Sequence, residues 1–144
     1  MKSISKQLKF FLNVATIHAR IARSFDTGLV GGIGFNDFVI LYHLSLAPEQ
    51  KMRRIDLAEK VSLTASGVTR MLLPMEKIGL VKREESVHDK RVSYVKLASG
   101  GKRILEEAME RAEMKCEEFL PSTDIKKLKD ISEIISLFTF NTLR

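Results

Sequence analysis

The most informative part of the chain, Arg54–Arg83, reads RIDLAEKVSLTASGVTRMLLPMEKIGLVKR. Apolar side chains in its first eight residues are spaced for one face of a short helix, and residues 62–63 then form a turn. Thr64 is a favourable N-cap for a second helix, which Gly79 stops. The residues predicted to face inward are Ile55, Leu57, Ala58, Val61, Val68, Met71, Leu72 and Met75. Two short helices joined by a tight turn are typical of a helix-turn-helix motif.

The sequence after Gly79 predicts a β-hairpin. Residues 80–85 are predicted to form one strand, and residues 91–97 alternate in side-chain character with the period of a second strand. A charged tip, residues 86–90, separates the two. A hairpin that directly follows a helix-turn-helix motif forms the wing of a winged domain, so we predict that architecture.

Predicted helices flank the motif on its N-terminal side. Residues 3–26 carry two adjoining apolar stripes, and because one core needs only one stripe, the second indicates contact with another subunit. A glycine-rich loop, residues 28–34, follows with a spacing that fits neither a dinucleotide fingerprint nor a P-loop. Asn36 is the predicted N-cap of the next helix, and Pro48 marks the turn after it.

Two more helices are predicted on the C-terminal side. A turn at residues 99–101 leads into a helix over residues 102–119, which Pro121 ends, and Asp124 starts the last helix. The apolar residues of that last helix are Leu128, Ile131, Ile134, Ile135, Leu137 and Phe138. The predicted fold class is therefore α+β, mostly α, with one small hairpin.

The positive charge of the chain is concentrated in its central third. The net charge is +6, and Lys51–Lys96 holds eleven Lys or Arg against six Asp or Glu, which gives +5. The rest of the chain holds thirteen basic and twelve acidic residues, which gives +1. Such segregation is expected of a surface that binds a polyanion, because Lys and Arg that neutralise phosphates release condensed counterions. Chance clustering is the alternative explanation.

Five segments, taken in order, resemble the MarR family of transcriptional regulators. They are Ile55–Val61, Thr64–Arg70, Met75–Arg83, His88–Arg91 and Val95–Gly101. The resemblance is densest from about residue 34 to residue 105. It implies one domain over residues 1–144, with a winged helix-turn-helix core at about 34–98 and dimerisation helices at about 3–26 and 102–142.

The resemblance also implies a set of DNA-binding residues. The second motif helix presents its N-terminal half to base edges in the major groove, and one arginine at the tip of the wing enters the minor groove. Two arginines at the start of the first motif helix are expected to contact phosphates without reading sequence. The predicted residues are Arg53, Arg54, Thr64, Ala65, Ser66, Thr69, Arg70, Asp89, Lys90 and Arg91.

Two details of this predicted site follow from individual residues. The resemblance implies that Asp89 braces the wing by pairing with a basic side chain. Pro74 lies inside the second motif helix, where it removes a hydrogen-bond partner from the Arg70 carbonyl and is expected to kink the helix.

Patterns for catalysis or metal binding are missing from the sequence. His18, His43 and His88 are scattered, with no HExxH or CxxC motif, so we expect no enzyme, metal or cofactor. His18 falls in the apolar arc of the first helix, where it is more typical of a packed or interface residue, and is only a weak candidate for an effector contact. The single Cys116 lies on an apolar stripe and is expected to be an inert core thiol in a reducing cytoplasm.

We therefore predict a sequence-specific double-stranded DNA-binding regulator. It is expected to act as a homodimer on a pseudo-palindromic operator, most simply as a repressor that a small-molecule effector controls. Two alternatives remain open: a ligand-independent or architectural DNA-binding protein, and a winged domain used only for protein–protein contact. The segregated charge argues against the last. No membrane span is expected, since no apolar run approaches roughly 18 residues.

Overall fold

The computed structural model describes residues 2–141, with the backbone alone at 122–124 and 140–141. It forms two compact units, one up to Arg111 and one from Ala112 onward. The elements in chain order are α1 (Lys6–Asp26), α2 (Phe35–Leu46), β1 (Lys51–Arg53), α3 (Arg54–Lys60), α4 (Ala65–Lys77), β2 (Val81–Glu85), β3 (Ser93–Leu97), α5 (Ser99–Phe119) and α6 (Leu128–Asn141). Short 3₁₀ turns at Pro48–Gln50 and Ser122–Lys127 complete them. The fold is therefore mostly α with a small sheet, which confirms the predicted class.

The core of the first unit lies between α2, α3, α4 and the sheet. Leu41 and Leu44 of α2, Leu57 of α3 and Leu72 of α4 have no exposed surface. The predicted inner face of α4 is confirmed at every position, with Met71 packed against the core from its edge. These side chains fix the angle at which α3 and α4 meet, because interiors packed at this density tolerate little displacement.

The sheet has three antiparallel strands in the order β1-β3-β2. The predicted hairpin is confirmed as β2 and β3, with Arg83 opposite Val95, although β3 starts at Ser93 and not at residue 91. The strand β1 was not predicted; it pairs with the other edge of β3 and places Met52 opposite Val95. It anchors the start of α3 to the wing, since Arg53 ends β1 and is the N-cap of α3.

The starts predicted for α2 and α5 are wrong for reasons that the structure makes clear. The N-cap of α2 is Gly34 and not Asn36, because the Asp37 carboxylate accepts a hydrogen bond from the Gly34 N–H at 3.0 Å. The helix α5 begins at Ser99, so residues 99–101 are its first turn and not a separate turn. Glycines are required there because a Cβ on Gly101 would collide with the Leu80 carbonyl oxygen.

The inward prediction for Ile55 is also wrong, since this side chain is 62% exposed on the outer face of α3. Cys116, expected in the core, is exposed as well. Partial desolvation and the neighbouring Glu113 carboxylate raise the pKa of its thiol, which keeps the sulfur protonated and weakly nucleophilic. Exposure and low reactivity therefore occur together at Cys116.

The second unit holds the end of α5 and the helix α6. A 3₁₀ turn over Ser122–Lys127 occupies the position where Asp124 was expected to start the last helix, and α6 itself begins at Leu128. The predicted end near residue 142 lies outside the described residues. Large apolar side chains of this unit are exposed at Ile131, Ile134, Ile135 and Leu137. No helix within residues 2–141 has the length and apolar character that crossing a bilayer demands.

Candidate nucleic-acid interface

The turn between α3 and α4 is held by its own backbone and by one hydroxyl group. Ser62 adopts a positive φ of 53°, and the Leu63 N–H donates to the Ala58 carbonyl at 2.9 Å. Thr64 caps α4, as predicted, because its Oγ1 accepts from the Gly67 N–H at 3.0 Å. The start of α4 is therefore set without help from a ligand.

Residues predicted to read DNA occupy the outer side of the first two turns of α4. Ala65, Ser66 and Arg70 are exposed, whereas Thr69 is half-buried. The Ser66 and Thr64 hydroxyls lie 3.2 Å apart, so one can donate to the other. Beyond these turns α4 continues through Pro74 to Lys77, so the proline does not end the helix. The structure thus brings this part of the predicted site together on one surface.

Arg54 lies elsewhere than its predicted role requires. Its guanidinium turns away from solvent into the groove between α3 and α4, where Nη1 donates to Thr69 Oγ1 at 3.3 Å. Nη2 forms an ion pair with Glu76 Oε1 at 3.4 Å, and the Arg54 side chain is only 20% exposed. Arg54 therefore joins the two motif helices from within. Neither the short helix pattern nor the charge of the residue signals this inward direction.

The wing tip is a tight, self-bonded loop. Ser86 Oγ accepts from the backbone N–H groups of His88 and Asp89 at 3.3 and 3.4 Å. Asp89 Oδ1 in turn accepts from the backbone N–H of Arg91 at 3.0 Å and pairs with its Nε at 3.4 Å. Asp89 thus pairs with a basic side chain, as expected, while 92% of the Arg91 side chain remains exposed.

Two lysines of the sheet form ion pairs with Glu84, whereas most other cations of Lys51–Lys96 form no ion pair among the described residues. Glu84 bridges Lys51 at 2.9 Å and Lys96 at 3.5 Å, and the hydrogen bond from Lys51 is the main reason that the pKa of Glu84 is lowered. The same hydrogen bond is the main reason that the pKa of Lys51 is raised. Among the described residues, seven of the eleven cations in Lys51–Lys96 are exposed and form no ion pair. They are Arg53, Lys60, Arg70, Lys77, Lys82, Arg83 and Lys90.

His18 lies at a pocket of about 290 Å³ formed by α1, α2 and the α3–α4 turn. Its ring is exposed and meets the Phe35 ring edge-on, with centroids 6.2 Å apart. Val39, Lys60 and Leu63 contribute to the walls. Within residues 2–141 no three His, Cys, Asp or Glu side chains are grouped so that they could hold a metal ion.

A helix-turn-helix motif that is followed by a two-stranded hairpin is the defining feature of winged helix-turn-helix proteins. Here α3 and α4 form the motif, and β2 and β3 form the hairpin. The MarR family model matches residues 36–93, which span α2 to the start of β3. This segment therefore matches a MarR-family domain, and the rest of the chain lies outside the match.

Comparisons with individual proteins agree with this assignment. The chain is 25% identical over 97 residues to the HTH-type transcriptional regulator YdgJ of Bacillus subtilis (strain 168), covering 67% of this chain and 56% of the relative. It spans about half the length of the curated relatives it matches. The transcriptional regulator BldR from Sulfolobus solfataricus superimposes with a TM-score of 0.84 at 25% identity, over 96% of this chain and 97% of that one.

A second solved structure has the same fold. The MarR-family regulator Sco3205 from Streptomyces coelicolor, solved in complex with DNA, matches with a TM-score of 0.75 at 21% identity. The match covers 94% of this chain and 89% of that one. At this identity the likeness concerns the fold alone.

Proposed function

We propose that this protein is a sequence-specific regulator of transcription that binds double-stranded DNA. The observation that carries the proposal is the set of seven exposed cations of Lys51–Lys96 that form no ion pair among the described residues. The same segment forms α4 and the wing. Exposed cations without an acidic partner attract a polyanion, whereas the field of a cation in an ion pair is largely cancelled by the charge of its partner. The fold is shared with Sco3205, a regulator that was solved in complex with DNA, and this fold is compatible with the proposal.

The contacts divide by what each element can reach. The exposed turns of α4, with Ser66 and Arg70, are suited to base edges in the major groove, where an arginine fork fits guanine. Arg53, at the junction of β1 and α3, is suited to a phosphate, which fixes register without reading sequence. Arg91 and Lys90 at the wing tip are suited to a minor groove of enhanced negative potential. Thr64 and Ala65 contribute close backbone approach, and Asp89 acts through Arg91.

The working unit is a homodimer on a pseudo-palindromic operator. Support comes from α1, of which Phe25 is the one buried residue among those described, while Leu8, Leu12 and Ile17 are about half exposed. A single domain rarely leaves an apolar face of this length in water. A two-fold axis would place two copies of α4 roughly 34 Å apart, which is one turn of DNA. We propose that dimerisation uses the helices predicted from the sequence, at about 3–26 and 102–142.

Control by a small molecule is the simplest mode of regulation. The pocket at His18 is lined by α1, α2 and the α3–α4 turn. An apolar effector bound there would therefore alter the position of α4 relative to α1. Repression through operator occupancy in the cytoplasm, relieved by such an effector, completes the proposal. A protein that binds DNA without an effector is the alternative, and a domain for protein contact only is disfavoured by the unpaired cations.

The experiment that tests sequence specificity is selection from a randomised double-stranded DNA library, followed by sequencing. The wild-type protein is expected to enrich an inverted repeat with half-sites about one helical turn apart. Arg70→Ala is the informative variant, since loss of a base-reading fork should reduce enrichment while binding to random DNA persists. Enrichment of no sequence by the wild-type protein would contradict the proposed function.

A further inference from the structure

The Thr69 hydroxyl has two protein partners that limit what it can offer to DNA. Its proton is directed at the Ala65 carbonyl oxygen, 3.0 Å away, which is the i−4 hydrogen bond of a helical threonine. One of its lone pairs accepts from Arg54 Nη1 at 3.3 Å. A hydroxyl carries one proton and two lone pairs, so a single lone pair remains.

We infer that Arg54 is a specificity-determining residue that acts through Thr69 by making its hydroxyl an acceptor only. This inference rests on the proposed function, because it concerns the base that Thr69 meets. In the major groove adenine and cytosine present an amino group that can donate to a lone pair, whereas guanine presents only acceptors. The base facing Thr69 is therefore expected to be adenine or cytosine, with guanine rejected.

Arg54 is held in the position that this role requires. Glu76 Oε1, 3.4 Å from Nη2, fixes the far side of the guanidinium, and the Glu76 side chain is itself only 26% exposed. Arg54 Nε is buried and has no hydrogen-bond partner within the part of the chain that the structure describes. A buried donor without a partner is unfavourable, so packing alone does not explain an arginine at this position. A donor aimed at the Thr69 hydroxyl supplies a functional reason.

Without Arg54 the same hydroxyl could rotate. Its proton could then leave the Ala65 carbonyl and donate to guanine or to thymine O4, because no guanidinium would occupy the adjoining lone pair. Loss of Arg54 should consequently broaden the base preference at one position and leave the preference at the other positions unchanged. If Arg54 had only a structural role, its loss would lower the stability of the protein or its affinity for every DNA sequence, and the base preference at one position would not change selectively.

The test is the randomised-library selection performed with the wild-type protein, Thr69→Val, Arg54→Met and Arg53→Met. The position that loses its preference in Thr69→Val is the one that Thr69 reads, and in the wild-type protein it should exclude guanine by about fivefold. Arg54→Met should reduce that exclusion to less than about twofold. Arg53→Met, which removes a neighbouring arginine, should weaken binding without changing the preference.

Each outcome has a distinct meaning. If the wild-type protein enriches a site but guanine is preferred at the Thr69 position, or Arg54→Met keeps the wild-type preference, the role of Arg54 is overturned and the proposed function stands. If the wild-type protein enriches nothing, the proposed function fails. Should Arg54→Met not fold by circular dichroism, Arg54→Lys takes its place, because one ammonium group cannot span both Thr69 and Glu76 and should broaden the preference in the same way.

Discussion

Asp89 and Arg91 form a closed pair at the tip of the wing. One carboxylate oxygen, Asp89 Oδ1, accepts from both the backbone N–H and the Nε of Arg91, at 3.0 and 3.4 Å. The pair fixes the direction in which the arginine leaves the loop, yet 92% of its side chain is exposed. An arginine that is oriented before binding loses less conformational freedom when it meets DNA.

Replacing Arg91 with alanine should weaken DNA binding by about 1–3 kcal/mol, because one charged contact to the duplex is lost. The fold should be unaffected, since 92% of the Arg91 side chain is exposed. Fluorescence anisotropy with a labelled duplex measures the change. The matched control is Arg20→Ala, which removes an exposed arginine from α1, outside the positively charged segment Lys51–Lys96. Equal affinities for wild-type protein and Arg91→Ala would show that the wing does not contact DNA.

Substitution of Arg70 should reduce sequence specificity, whereas substitution of Arg53 should reduce the affinity for DNA of any sequence. Arg70→Ala should narrow the gap between a selected site and random DNA, because Arg70 is exposed on the reading face of α4. Arg53→Ala should weaken binding to both duplexes equally and reduce the salt slope by about 1. Titrations of both duplexes at several salt concentrations check this. If Arg70→Ala weakens binding to both duplexes equally, Arg70 does not read the base sequence.

The stability of the sheet should depend on pH through Glu84. Its folded-state pKa lies below the ordinary value of 4.5, mainly because Lys51 donates a hydrogen bond to it. The stabilisation is therefore present above about pH 4.5 and is lost as the pH falls through the folded-state pKa. Urea denaturation between about pH 7 and about pH 3 should show a difference between wild-type protein and Glu84→Gln that shrinks with acid.

The control for that experiment is Glu85→Gln. Glu85 is the next residue of β2, is exposed and forms no ion pair among the described residues. Its substitution should leave the pH dependence of unfolding unchanged. A Glu84→Gln protein as stable as the wild type at neutral pH would mean that the bridge to Lys51 and Lys96 contributes nothing, as many exposed ion pairs do.

The chain should be a dimer in solution. Light scattering at micromolar concentration should give twice the chain mass of 16.3 kDa. Leu12→Asp should shift the mass towards that of one chain, since Leu12 is 51% exposed in the single chain and would carry a charge into an apolar interface. Asn13→Asp, one residue along and exposed, should leave the mass unchanged. A wild-type mass of 16.3 kDa would contradict the dimer.

The helix-turn-helix and the wing could be predicted because each has a strong local signal. Thr64 and Gly79 mark the two ends of α4 by the chemistry of a hydroxyl cap and of a positive φ, which is 77° at Gly79. The strand β1 could not be predicted, because three residues are too few to show a period and its pairing with β3 joins positions over forty residues apart.

Other errors arose where tertiary contacts override local preference. Gly100 and Gly101 suggest a turn by composition, yet they lie in α5 because only glycine fits against the Gly79–Leu80 backbone. Arg54 was expected to contact a phosphate from the start of the first motif helix, whereas Thr69 and Glu76 provide it with partners inside the groove. The sequence contains all three residues, but their meeting depends on the angle between α3 and α4.

Whether the positively charged segment Lys51–Lys96 binds DNA is decided by fluorescence anisotropy with a random-sequence duplex at about 50 mM and about 200 mM salt. Binding is expected at the lower salt, with an affinity that falls by a factor of at least about 100 at the higher salt, because several phosphates are neutralised at once. Absence of binding at the lower salt would contradict the account and favour a winged domain that contacts only proteins.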